Sequence, residues 1–321
     1  MTQFGPQTHG AARATARVAR GILLALSIAC VAALALDPQS QGGAALRMLA
    51  EIAAIPALLA ISGWLMAAPV AERQWRVLLQ AVSPAALCGA VAGLTLCIDS
   101  PVLGQDWRQA LALAKPSLMI VVLPVVYAPL ARLLRGSLSM RLSLALAGHI
   151  AGVIFASPAL TYFIFFVVGC EIAGFEDKLE ALACEERELA ASSAPFVAVL
   201  AAVVSIRFAQ TGQAASIAAL GPIALAMGAA LPLAALASAL ALRGTPVGDA
   251  FGRLGRAAPA IAIFWIPLFL LLMRAANRGL APTLFGALLM AVSSLLIVAV
   301  VADAILDAAE RRRSGRLVPQ S

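Results

Sequence analysis

Charge is what this chain has least of. Asp, Glu, Lys and Arg make up 12% of its 321 residues, against roughly 25% in soluble domains. That is too little to cover a water-facing surface, and no segment has the composition of a soluble domain. Histidine is scarcer still: the chain has two, and His9 lies in the N-terminal segment. There is no nucleophile–base set, HExxH, paired-aspartate motif or phosphate-cradling glycine loop. The chain is not expected to be an enzyme. Its five cysteines (Cys30, Cys88, Cys97, Cys170, Cys184) show no CxxC and no paired spacing. A disulfide framework or metal site is therefore not expected, and no cofactor is implied.

What is present is apolar. The chain is 62% hydrophobic, with a mean hydropathy of +0.95. Apolar runs of 17 residues and more recur along it, and each can span a hydrocarbon core about 30 Å thick. In lipid the backbone must bond to itself, so these runs are read as helices. The expected fold is an all-α integral membrane protein whose first partner is the lipid bilayer. The net charge of +7 does not point to nucleic acid. Lys and Arg cluster at the ends of apolar runs, the cytoplasmic-flank pattern of a multi-pass cell inner membrane protein. The oligomeric state leaves no signal.

Met1–Arg20 is polar and basic and leads into Gly21–Leu36, read as the first transmembrane helix with its N-terminus inside. Further spans are expected at about Ala45–Ala68, Val77–Ile98 (with Gly89-x-x-x-Gly93), Leu113–Leu133 (with Pro116, Pro124 and Pro129) and Leu142–Cys170. The last run is interrupted at Ser157-Pro158 and is read as a broken helix. Glu171–Leu189 holds seven acids and two bases, with Ile172, Phe175, Leu179, Leu182 and Leu189 at helical spacing. It reads as an amphipathic helix on the membrane surface. Beyond it come Pro195–Phe208, Ala214–Met227, Gly228–Leu242, Ala257–Met273 and Leu280–Asp303.

The 214–242 run fits one kinked helix or two short ones. Two put the basic 243–256 connection and the Arg311–Arg313 tail both inside. That favours ten helices, and both termini cytoplasmic. Cut at the acidic segment, ten make two inverted sets of five. The expected organisation is an N-terminal tail (1–20), a first membrane half (21–170), an acidic connector (171–192), a second membrane half (193–304) and a basic tail (305–321). Arg132, Arg135 and Arg141 then fall inside and the acidic segment outside.

Intramembrane polar groups are costly and are functional candidates by default. His149 lies about two turns before the break, and its titration range suits proton coupling. Pro158 cannot donate to the helix ladder, so a carbonyl is freed one turn earlier. With the Ser157 and Thr161 hydroxyls it offers hard oxygen ligands, suited to Na⁺ or a polar solute; Tyr162 adjoins them. Gly221-Pro222 and Pro232 would supply the matching interruption in the second half. Paired interruptions point to a midplane site. Glu51 and Lys115 read as interfacial snorkelling groups, and Asp303 as a solvated helix end.

Ala156-Ser157-Pro158-Ala159-Leu160-Thr161-Tyr162 resembles the helix-break region of the bile acid:sodium symporter-like superfamily. That resemblance covers seven residues of 321. It implies ten helices in two inverted sets of five with crossing broken helices. The Asn usual beside the break is absent, as is a sodium-site set of Glu, Gln and Asn in the second half. The function expected is secondary-active transport of a small solute, an organic anion among the candidates, coupled to Na⁺ or H⁺. The alternative is a non-catalytic multi-pass membrane subunit or scaffold.

Overall fold

A computed structural model describes residues 8–36, 54–71, 122–131, 137–155, 157–175, 217–277 and 284–315, with isolated positions besides. Every described element is helical. They are α1 (Thr8–Leu36), α2 (Ile55–Ala71), α3 (Leu138–Ile154), α4 (Pro158–Ile172), α5 (Ile217–Ala241), α6 (Pro246–Asn277) and α7 (Leu284–Gly315). A further helical stretch covers 122–131, and a 3₁₀ turn, Ala173–Phe175, follows α4. The all-α expectation holds. Among the described residues no helix is long and apolar enough to cross a membrane, so the count of ten spans rests on the sequence. The expected helix at Val77–Ile98, the loop 99–109, Glu51, Lys115 and the acidic segment beyond Phe175 lie outside the described residues.

Two close helix crossings organise the packing. At one, Gly21 of α1 meets the backbone of Phe251, and Gly255 of α6 meets the backbone of Arg17. Side chains there would overlap main chain. At the other, Gly63 of α2 meets Phe166, and Gly169 of α4 meets Ala60. Glycine at these four positions lets the helix backbones touch. Past the first crossing, Leu24 and Ile28 share a cluster with Ala257, Ala258, Ile261, Trp265, Val298 and Ala302. Past the second, Ile55 and Leu59 join Tyr162, Phe165 and Phe166. A third cluster, with Leu23, Leu58, Trp64, Leu231 and Ala235, joins α1, α2 and α5.

Several boundaries differ from expectation. The N-terminal segment is helical from Thr8, with Thr15, Ala16 and Ala19 buried. Asp303 and Asp307 lie within α7, which continues to Gly315. The 214–242 run forms the single 25-residue helix α5 and not two. Gly228 and Pro232 are buried inside it. A proline costs one ladder bond, and here packing on α1, α2, α3 and α4 holds the helix through it.

The largest correction concerns Leu142–Cys170. The break is where the sequence puts it, but α3 and α4 fold back on each other as an antiparallel hairpin. Arg141 near the start of α3 grips Glu171 at the end of α4, with Nε–Oε1 at 2.8 Å and Nη2–Oε2 at 2.9 Å. A continuous, merely kinked helix would separate these residues by about 45 Å at 1.5 Å per residue. Arg141 and the start of the acidic segment therefore share one end of the molecule and cannot lie on opposite sides, as the charge count had placed them.

Candidate functional site

The hairpin turn is built from its own sequence. Phe155 ends α3 and its N–H bonds Ala151 O at 2.9 Å; the Ser157 N–H bonds Gly152 O at 2.8 Å. Ser157 is extended (φ −98°, ψ 103°) and Pro158 opens α4, where its missing N–H has no ladder partner to lose. Gly152 lets the limbs close: a Cβ there would lie 2.6 Å from Thr161 Oγ1.

The polar groups of the turn are mostly engaged inside the protein. Thr161 Oγ1 donates to Ser157 O at 2.9 Å, and Thr161 N–H bonds the same carbonyl at 3.0 Å. The Tyr127 hydroxyl donates to Ala159 O. His149, 2% exposed, binds Thr161 O through Nδ1 at 2.7 Å. A carbonyl only accepts, so Nδ1 carries a proton. Nε2 is buried and has no hydrogen-bond partner.

Most of the sequence candidates meet here. His149, Ser157, Pro158 and Thr161 form the turn and its brace. Tyr162 is buried beside them in the aromatic cluster with Tyr127, Phe165 and Phe166. Gly221, Pro222 and Pro232 do not form a second break; they lie within α5. That helix reaches the hairpin at another point. Phe165 packs edge-on to the His149 ring, with centroids 6.1 Å apart at 89°. The Phe165 Cζ also stands 2.8 Å from where a Cβ on Gly228 would be. Phe165 thus bridges His149 and α5, one turn before Pro232.

Sequence reasoning missed Phe165, Gly228, Tyr127 and Gly152. Gly148-x-x-x-Gly152, a close-approach spacing, was the available signal for the last. Among the described residues, no group of three or more His, Cys, Asp or Glu could hold a metal ion.

No protein-family model, curated protein or solved structure matches the chain.

Proposed function

We propose that the chain is a multi-pass inner-membrane protein that moves a small solute by alternating access, with its site at the α3–α4 turn where α5 approaches. Its low charge and high hydropathy support the membrane placement. So does the arrangement of side chains. Val292, Leu296, Val300 and Val301 are exposed on α7 while Ser294 is buried, an ordering that hydrocarbon favours and water does not. The resemblance of Ala156–Tyr162 to the bile acid:sodium symporter-like superfamily points the same way.

One observation carries the site: the buried, unpartnered Nε2 of His149 beside a helix interruption. Because Ser157 O, Ala159 O and Thr161 O already accept hydrogen bonds from the protein, the geometry supports H⁺ over Na⁺ as the coupling ion. The test is an uptake screen in proteoliposomes with an imposed pH gradient. His149→Gln and Thr161→Ala are expected to lower gradient-driven uptake at least tenfold. Unchanged uptake in both would remove the site assignment.

A scaffold reading draws on a different observation. Tyr127, Tyr162, Phe165 and Phe166 are all fully buried around the turn, which is how a structural core is filled. The uptake screen separates the two readings: a scaffold shows no gradient-driven uptake in the wild type.

A further inference from the structure

We propose that α3 and α4 form a re-entrant hairpin: they enter the bilayer from one face, carry the turn marked by Phe155 and Ser157 into the hydrocarbon, and return to the same face. The inference rests on the membrane placement above and replaces a span with an element that does not cross. The occupant of the surface around the turn is lipid acyl chain.

Three observations converge. The first is where the charges are. The two open ends of the hairpin are tied by the Arg141–Glu171 fork, whose groups suit the headgroup region. The turn has no charged residue, and it exposes apolar side chains: Ile154 is 70%, Phe155 75% and Leu160 43% exposed. A turn joining two full spans would emerge among headgroups and water, where charged and interfacial residues belong.

The second is length. The limbs have 17 and 15 residues, so they reach about 25 Å and about 22 Å. A hydrocarbon core is about 30 Å thick and a spanning helix needs about 17 residues or more. α3 gives up part of its reach to Arg141 in its first turn, so neither limb crosses.

The third is the backbone. Non-helical chain at membrane depth must satisfy its polar groups within the protein. This turn does so at Phe155 N–H and Ser157 N–H. The Ser157 carbonyl in turn accepts from the Thr161 N–H and hydroxyl. A turn in water has no need of such provision.

The test uses full-length protein in sealed proteoliposomes, its native cysteines replaced, with single reporters at Met140→Cys, Gly174→Cys, Phe155→Cys and Val300→Cys. Gly174 has no neighbour within 4 Å of an added Cβ, and Met140, Phe155 and Val300 are exposed. Met140→Cys and Gly174→Cys are expected to react with a membrane-impermeant maleimide from the same side. A nitroxide at Phe155→Cys is expected to be relaxed by oxygen and shielded from a water-soluble nickel chelate, at a depth of about 10 Å or more into the core. Reaction of the two end reporters from opposite sides overturns the proposal. So does a Phe155→Cys site reached by the chelate from either face. The nitroxide at Val300→Cys separates this failure from the broader one: if that label too is in water, the membrane placement itself falls.

Discussion

His149 is held by one nitrogen and left bare at the other. The bond from Nδ1 to Thr161 O is worth about 1 kcal/mol, and a buried polar atom without a partner, as Nε2 is, costs about 1–3 kcal/mol. Replacing the ring by Leu removes both terms, so they offset in part. His149→Leu is expected to shift unfolding in detergent by about 1 kcal/mol or less. Gly152→Val should behave differently, because its side chain must enter the space of Thr161 and the α4 backbone. Overpacking of this kind costs about 1–3 kcal/mol or more. The ordering is the checkable point: if thermal unfolding shows His149→Leu to be the worse of the two, the hairpin is not closed around Gly152. His149 and Thr161 were legible in the sequence because a polar residue stands out in an apolar run. Phe165 was not, being one of twelve phenylalanines and distinguished only by touching both His149 and α5. Ser157 was legible as a break but not as a reversal, since Ser-Pro in an apolar run suits a kink and a turn equally.

At the scale of elements, local chemistry settled fewer questions than packing did. Two prolines in similar apolar runs have opposite outcomes. Pro158 begins a helix after a reversal, whereas Pro232 is carried inside one. The difference comes from neighbours. Ser157 precedes Pro158 in an extended conformation, and the Arg141–Glu171 and His149–Thr161 contacts draw the limbs together. Around Pro232, α5 packs against α1 and α2 on one continuous apolar surface. Pro158→Ala should therefore leave the hairpin intact at a cost under about 1 kcal/mol, because its position needs no N–H. Same-sided labelling at Met140→Cys and Gly174→Cys should persist in that variant, and loss of it would mean that the proline makes the turn. Pro232→Ala restores a donor in mid-helix and should raise stability by up to about 3 kcal/mol, read from the unfolding midpoint. A fall in stability would show that α5 depends on the packing of the proline ring. The sequence reading favoured two helices at 214–242, because its charge argument weighed only the connections; the run is one helix. The buried Met227, Leu231, Ala235 and Ala239 make one stripe across the 227/228 boundary that a break there would have interrupted.

At the scale of the molecule, contacts supply a topology that counting apolar runs could not. Arg20 Nε donates to Gly255 O at 2.7 Å, so the basic start of α1 lies beside the first part of α6. Arg256, one residue on, binds Asp303 and Asp307 near the end of α7, the latter at 2.7 Å. Three chain segments thus meet through these contacts. Asp303 was read in sequence as a solvated helix end; it is instead half of a partly buried ion pair. The hydrogen bond with Asp303 is the main cause that holds the Arg256 guanidinium above its ordinary value, with Asp307 adding and burial opposing. The sign follows from proton binding. A base whose affinity for its proton rises on folding adds stability that is complete below its unfolded value, and that stability fades only as pH climbs through the folded one. An arginine keeps its proton through the range in which the other side chains titrate, so alkaline conditions do not release this contact. The double-mutant cycle of Arg256→Gln with Asp303→Asn should give a coupling of order 1 kcal/mol, near the upper end for ion pairs that water partly screens. It should stay constant from about pH 7 to about pH 10 and shrink with added salt. A coupling that decays across that alkaline range would mean that a group titrating lower, and not Arg256, ties α6 to α7.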